Sequence, residues 1–161
     1  MGDRADILLI RRLTNPAGEE KWELVDLHTH WHGSEFPHIV RELLAEAKKL
    51  AKDQLHWMTY PEILAAYLAM LDGLKCLEPA LRAFPCHPDF YPRGDIRDTD
   101  TYSYILVLPE RPSDGTLTYR LIQLEVGMEG FEDEDLELLR EGRLDDVLAK
   151  YRVVRDETFT V

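Results

Sequence analysis

Near its start the chain carries two extended runs, Ala5 to Thr14 and Glu20 to Trp31, separated by the cluster Asn15-Pro16-Ala17-Gly18. Asn-Pro and Gly punctuate turns because proline presets one backbone angle and glycine tolerates the other, so the two runs predict a β-hairpin. In the second run the odd positions include Val25, Leu27 and Trp31, and the even positions include Asp26, His28, His30 and His32. Side chains alternate across a strand. The expectation is therefore an apolar face holding Val25, Leu27 and Trp31 against the core and an opposite face holding a line of polar groups.

The period then lengthens. Ile39, Val40, Leu43, Leu44, Ala47, Leu50 and Ala51 follow helical spacing, with Ser34 and Pro37 as a start signal. A second helix is expected in "TYPEILAAYLAMLDG", where Thr59 and Glu62 form a capping box, Pro61 sits in the first turn and Gly73 suits the end. From Leu77 to Asp100 several prolines and Gly94 break every period, which predicts a long structured loop. Two β-rich runs, "TYSYILVLP" and "TLTYRLIQLEV", predict a second hairpin. "FEDEDLELLREG" predicts an acidic helix closed by Gly142, "RLDDVLAKY" a further turn and "YRVVRDETFTV" a final strand. The whole order implies an α+β fold: a mainly antiparallel sheet of about five strands packed on a helical pair, in a single compact domain spanning residues 1–161.

Charge narrows the partners. Nineteen Lys and Arg against thirty-one Asp and Glu give a formal charge of −12, which disfavours nucleic acid and anionic lipid and leaves a small-molecule substrate or a basic protein partner. The opening "MGDRADILLIRR" has only a short apolar run between charges, so neither a signal peptide nor a membrane span is expected, and the chain reads as cytoplasmic. Cys76 and Cys86 lack C-x-x-C spacing and read as two reduced thiols.

Three of the six histidines fall at His28, His30 and His32. Histidines at i and i+2 on one strand face project in parallel, roughly 7 Å apart, which is chelate geometry for a divalent metal ion, zinc above all. The metal ligands expected are His28, His30 and His32. Asp26 is expected to orient an imidazole from below, and His87 and Asp89 of the proline-rich loop are candidate acid-base groups or further ligands. An ion with an open position acidifies its bound water, so a metal-dependent hydrolase is the sharper expectation. The competing expectation is a solvated polar strand face on a non-catalytic acidic interaction module that binds no metal.

"VDLHTH" resembles the D-x-H-x-H metal motif of the amidohydrolase superfamily and the H-x-H motif of PHP-type phosphoesterases. The resemblance covers six residues and implies metal-ligand roles for His28 and His30 alone. Those families are barrels built from alternating strands and helices, a pattern this sequence lacks. "FPCHPDFYPRGD" is similar to the metal loop of JAMM-type peptidases, but Pro85 stands where that motif has its first histidine, and Arg93 or Gly94 where it has serine.

Overall fold

The computed structural model describes residues 3–14, 16–41, 45, 90–92, 102–108, 118–127 and 130–160. β1 (Ala5–Thr14) and β2 (Glu20–Thr29) form the expected antiparallel hairpin, with Leu8 opposite Asp26 and Ile10 opposite Leu24. The short β3 (Phe90–Pro92) pairs antiparallel with β2, a strand not foreseen within the irregular stretch. Pro92 is tolerated there because an outermost strand has one edge on which no backbone donor is needed. β4 (Tyr102–Leu108) and β5 (Thr118–Glu125) form the second hairpin. β5 then pairs with the last strand, β6 (Arg152–Thr160).

The resulting sheet runs β3-β2-β1-β4-β5-β6. Four of its pairings are antiparallel, while β1 and β4 run parallel, so the α+β class holds with a mixed sheet. The chain reaches β4 by a long connection after β2, and such a connection is what two adjacent parallel strands require.

Ala5, Asp6, Ile7, Leu8, Leu9 and Ile10 are all buried, each at 2% exposure or less. Consecutive burial on a strand means that both faces are covered. On one face α1 (Asp133–Arg140) and α2 (Leu144–Lys150) pack Leu136, Leu139 and Val147 against Leu8, Ile10, Ile105 and Ile122. On the other, residues 36–41 are helical, and the Phe36 ring lies 5.1 Å from that of Tyr104. Beyond that first turn and residue 45, which is also helical, the expected helical pair lies outside the described residues, as do the second-hairpin turn and both cysteines.

Packing fixes the C-terminal helices locally. Gly142 closes α1 with a φ of +76°, a conformation glycine adopts at little cost. A Cβ at Gly142 would collide with the Trp22 indole nitrogen, so the indole of β2 packs directly under this turn. Asp135, fully buried in the first turn of α1, accepts hydrogen bonds from the Glu132 N–H at 3.0 Å, from Lys150 Nζ at 2.6 Å and from the Tyr151 hydroxyl. One carboxylate thereby caps α1 and ties it to the end of α2.

Candidate functional site

The histidine segment divides where β2 ends, at Thr29. His28 is the last histidine on the strand, and it is 1% exposed. It shares a face with Asp26, Leu24 and Trp22, and the latter two pack against the core under α1 and α2. The face that carries the polar line, whose cover the sequence leaves open, is thus interior at His28. Trp22 and Leu24 have the same parity as Asp26 and His28, and it is their apolar area that draws the helical layer onto this face.

Across the sheet, backbone register aligns Tyr91, His28, Asp6, Ser103 and Leu124 in one row. Directly paired residues point to the same side, so His28, Asp6 and Ser103 form a polar line across three adjacent strands. All three are buried, Asp6 at 0% and Ser103 at 3% exposure. One Asp6 carboxylate oxygen accepts the Phe131 N–H at 3.5 Å, which places the segment entering α1 over this row. Asp26 stands two residues before His28 on the same face and is only partly buried. Asp6 and Ser103 were not among the expected site residues; the available signal was a lone aspartate inside the apolar run "ADILLI".

His30 and His32 lie past the strand end and do not continue the line. The chain bends at His30, whose Nδ1 accepts a hydrogen bond from Arg4 Nε at 3.3 Å. An accepting Nδ1 leaves the neutral ring with its proton on Nε2. His32 Nδ1 lies 3.0 Å from Glu35 Oε2, an arrangement in which Nδ1–H donates and the lone pair resides on Nε2. Its backbone N–H donates to Thr29 Oγ1 at 3.3 Å, closing the bend. Trp31, expected in the core, is 58% exposed with its ring edge-on to His30 at 4.5 Å. That expectation fails because alternation stops with the strand, two residues before Trp31; Leu27 is buried as expected, and the Val25 side chain lies outside the described residues.

The bend is pinned by the residue run that enters β1 and by Tyr104 of β4. The Gly33 N–H donates to the Asp3 carbonyl at 2.7 Å, and the Tyr104 hydroxyl donates to the Gly33 carbonyl at 2.8 Å. The Ser34 N–H donates to the Asp3 carboxylate at 3.0 Å, and the Ser34 hydroxyl bonds the same group. Burial holds the Tyr104 phenol far above the ordinary tyrosine range, so it stays a neutral donor at any physiological pH.

His87 and Asp89 lie outside the described residues. Phe90, bonded directly to Asp89, pairs with Thr29 at the end of the histidine strand. Among the described residues no three His, Cys, Asp or Glu side chains are grouped to hold a metal ion, and no helix is long and apolar enough to cross a membrane. No protein-family model, curated protein or solved structure matches the chain.

Proposed function

We propose that the segment from Asp26 to His32 belongs to a metal-dependent hydrolytic site. The observation that carries this reading is the pairing of β3 with β2 at His28, because it fastens to the histidine strand the segment whose sequence holds His87 and Asp89. Asp6, in register beside His28 on the same face, adds support, since metal-binding imidazoles are commonly oriented by a carboxylate. His28 and His32 serve as ligands, and His87 or Asp89 completes the set. Asp6 and Asp26 position the His28 ring, while His30, held by Arg4, donates from Nε2 to a substrate oxygen. A divalent ion with an open position would supply an acidified water at neutral pH.

Metal content of protein prepared without an affinity tag tests this directly. About one equivalent of zinc or manganese should remain after incubation and desalting, and less than about a tenth of an equivalent would sink the proposal. Asp6→Asn, which keeps the size of the buried side chain, should weaken binding by about 10- to 100-fold. A double His28→Ala, His32→Ala variant that still binds one equivalent would show these ligands to be the wrong ones.

A second reading, an acidic module engaging a basic protein, rests on the exposed Glu132, Asp133, Glu134 and Glu137 around the first turns of α1. Binding of a lysine-rich peptide that weakens steeply with salt would favour it, and no binding at low ionic strength would end it.

A further inference from the structure

β6 is the outermost strand of the sheet, and among the described residues it pairs only with β5. It is nine residues long, and all but Arg155 and Phe159 are exposed, on both faces. Of the three exposed large hydrophobic residues among those described, two, Val153 at 41% and Val154 at 49%, stand side by side on this strand. A long strand of this kind offers a row of backbone donors and acceptors to another strand.

Charge selects the partner. The chain carries −12 overall, yet β6 holds Arg152 and Arg155 against Asp156 and Glu157 and is neutral. Two copies of an acidic protein can approach most closely along such a strand. The bulge between Gln123 and Leu124 falls at the Val153–Val154 end, and residues 155–160 keep unbroken register with 118–123.

We infer that two copies of this chain join their sheets edge to edge through antiparallel β6 strands, centred on Asp156. A two-fold axis normal to the sheet keeps each side chain on its own face. Arg155 then stands opposite the partner's Glu157, and Glu157 opposite the partner's Arg155. The centre brings Asp156 toward its own mate, but the Arg120 guanidinium already grips each Asp156 with bonds of 2.8 and 2.6 Å, which neutralises that contact. The pairing is independent of the histidine site.

The solution mass of the full chain tests it. Sedimentation equilibrium should give twice the 18.7 kDa chain mass, and a monomer at every concentration up to about 1 mM overturns the inference. Arg155→Glu and Glu157→Arg should each weaken the dimer by roughly tenfold or more, because each places like charges opposite one another at two symmetric positions. Mixing the two variants in equal amounts should restore a mass of two chains, since every facing pair is then opposite in sign. Single variants that dimerise as well as the wild type, or a mixture that stays monomeric while both retain native circular dichroism, would overturn the register and with it the proposal.

Discussion

Asp135→Ala should lower the stability of the protein by about 3 kcal/mol, because it empties the acceptor at which three donors meet. Removing one partner of a buried charged pair costs about 3–5 kcal/mol in general. The lower end applies here: the Lys150 side chain is 31% exposed, and its ammonium can recover water and turn toward Glu132 and Glu134. The Tyr151 hydroxyl and the Glu132 N–H lose an acceptor outright. For a chain of this size about 3 kcal/mol corresponds to a fall in Tm of roughly 10 °C. Urea unfolding followed by circular dichroism measures the change, and a loss under about 0.5 kcal/mol would mean that α1 and α2 are held by apolar packing alone. Asp135→Asn keeps an oxygen for the cap and the hydroxyl, so it should cost less. The pH dependence carries a further sign. The Asp135 hydrogen bond holds the Lys150 ammonium well above the usual lysine range. A group with a raised folded pKa contributes fully below its unfolded pKa and loses that contribution as pH rises toward the folded value. The Lys150 ammonium is therefore fully charged at neutral pH, and its share of the tie is lost as pH rises into strongly alkaline solution.

Local patterns made the hairpins, the acidic helix and the last strand readable, because each depends on residues close in sequence. Gly142 could be assigned as the end of α1 from its position alone, and its φ of +76° is the physical reason. What lay beyond local pattern was which faces are covered. In β2 the charged and imidazole side chains drew attention away from Trp22 and Leu24, whose burial sets that face against α1 and α2. A strand with polar groups at one end and apolar groups at the other does not have a single outward face, and alternation cannot reveal that. Nor could alternation reveal where β2 stops. Trp31 leaves the core because the Asp3, Gly33 and Ser34 contacts bend the chain, and those partners are some thirty residues apart. The Asp6–His28–Ser103 row was hidden for the same reason, since it exists only once β4 lies parallel beside β1. His28 was legible as a strand residue, whereas the partners of His30 and His32, Arg4 and Glu35, depend on the bend that follows the strand.

Gly33→Ala should destabilise the protein by a net of about 2 kcal/mol, although glycine-to-alanine changes usually help. Restricting the unfolded chain contributes about 0.4–1 kcal/mol in favour of alanine where the native backbone accepts it. At Gly33 the added Cβ would lie 2.6 Å from the Arg4 carbonyl oxygen and 2.9 Å from the Asp3 carbonyl oxygen. Both neighbours are backbone at the entry to β1, a strand buried on both faces, so neither can turn aside as a side chain would. Overpacking of this kind costs about 1–3 kcal/mol, and the rigid neighbours put it at the upper end, about 3 kcal/mol, which exceeds the entropic gain. The change also strikes the site, because Gly33 closes the bend that carries His30 and His32. Relief of the clash must lengthen the Gly33–Asp3 hydrogen bond or shift the Gly33 carbonyl from Tyr104, and either moves His32 relative to His28. Urea unfolding and metal titration of the same variant should therefore fail together, with the stability loss accompanied by weaker binding. A Gly33→Ala protein as stable as the wild type would show that the entry to β1 yields more easily than its burial implies. One that is destabilised yet binds metal unchanged would remove His32 from the ligand set.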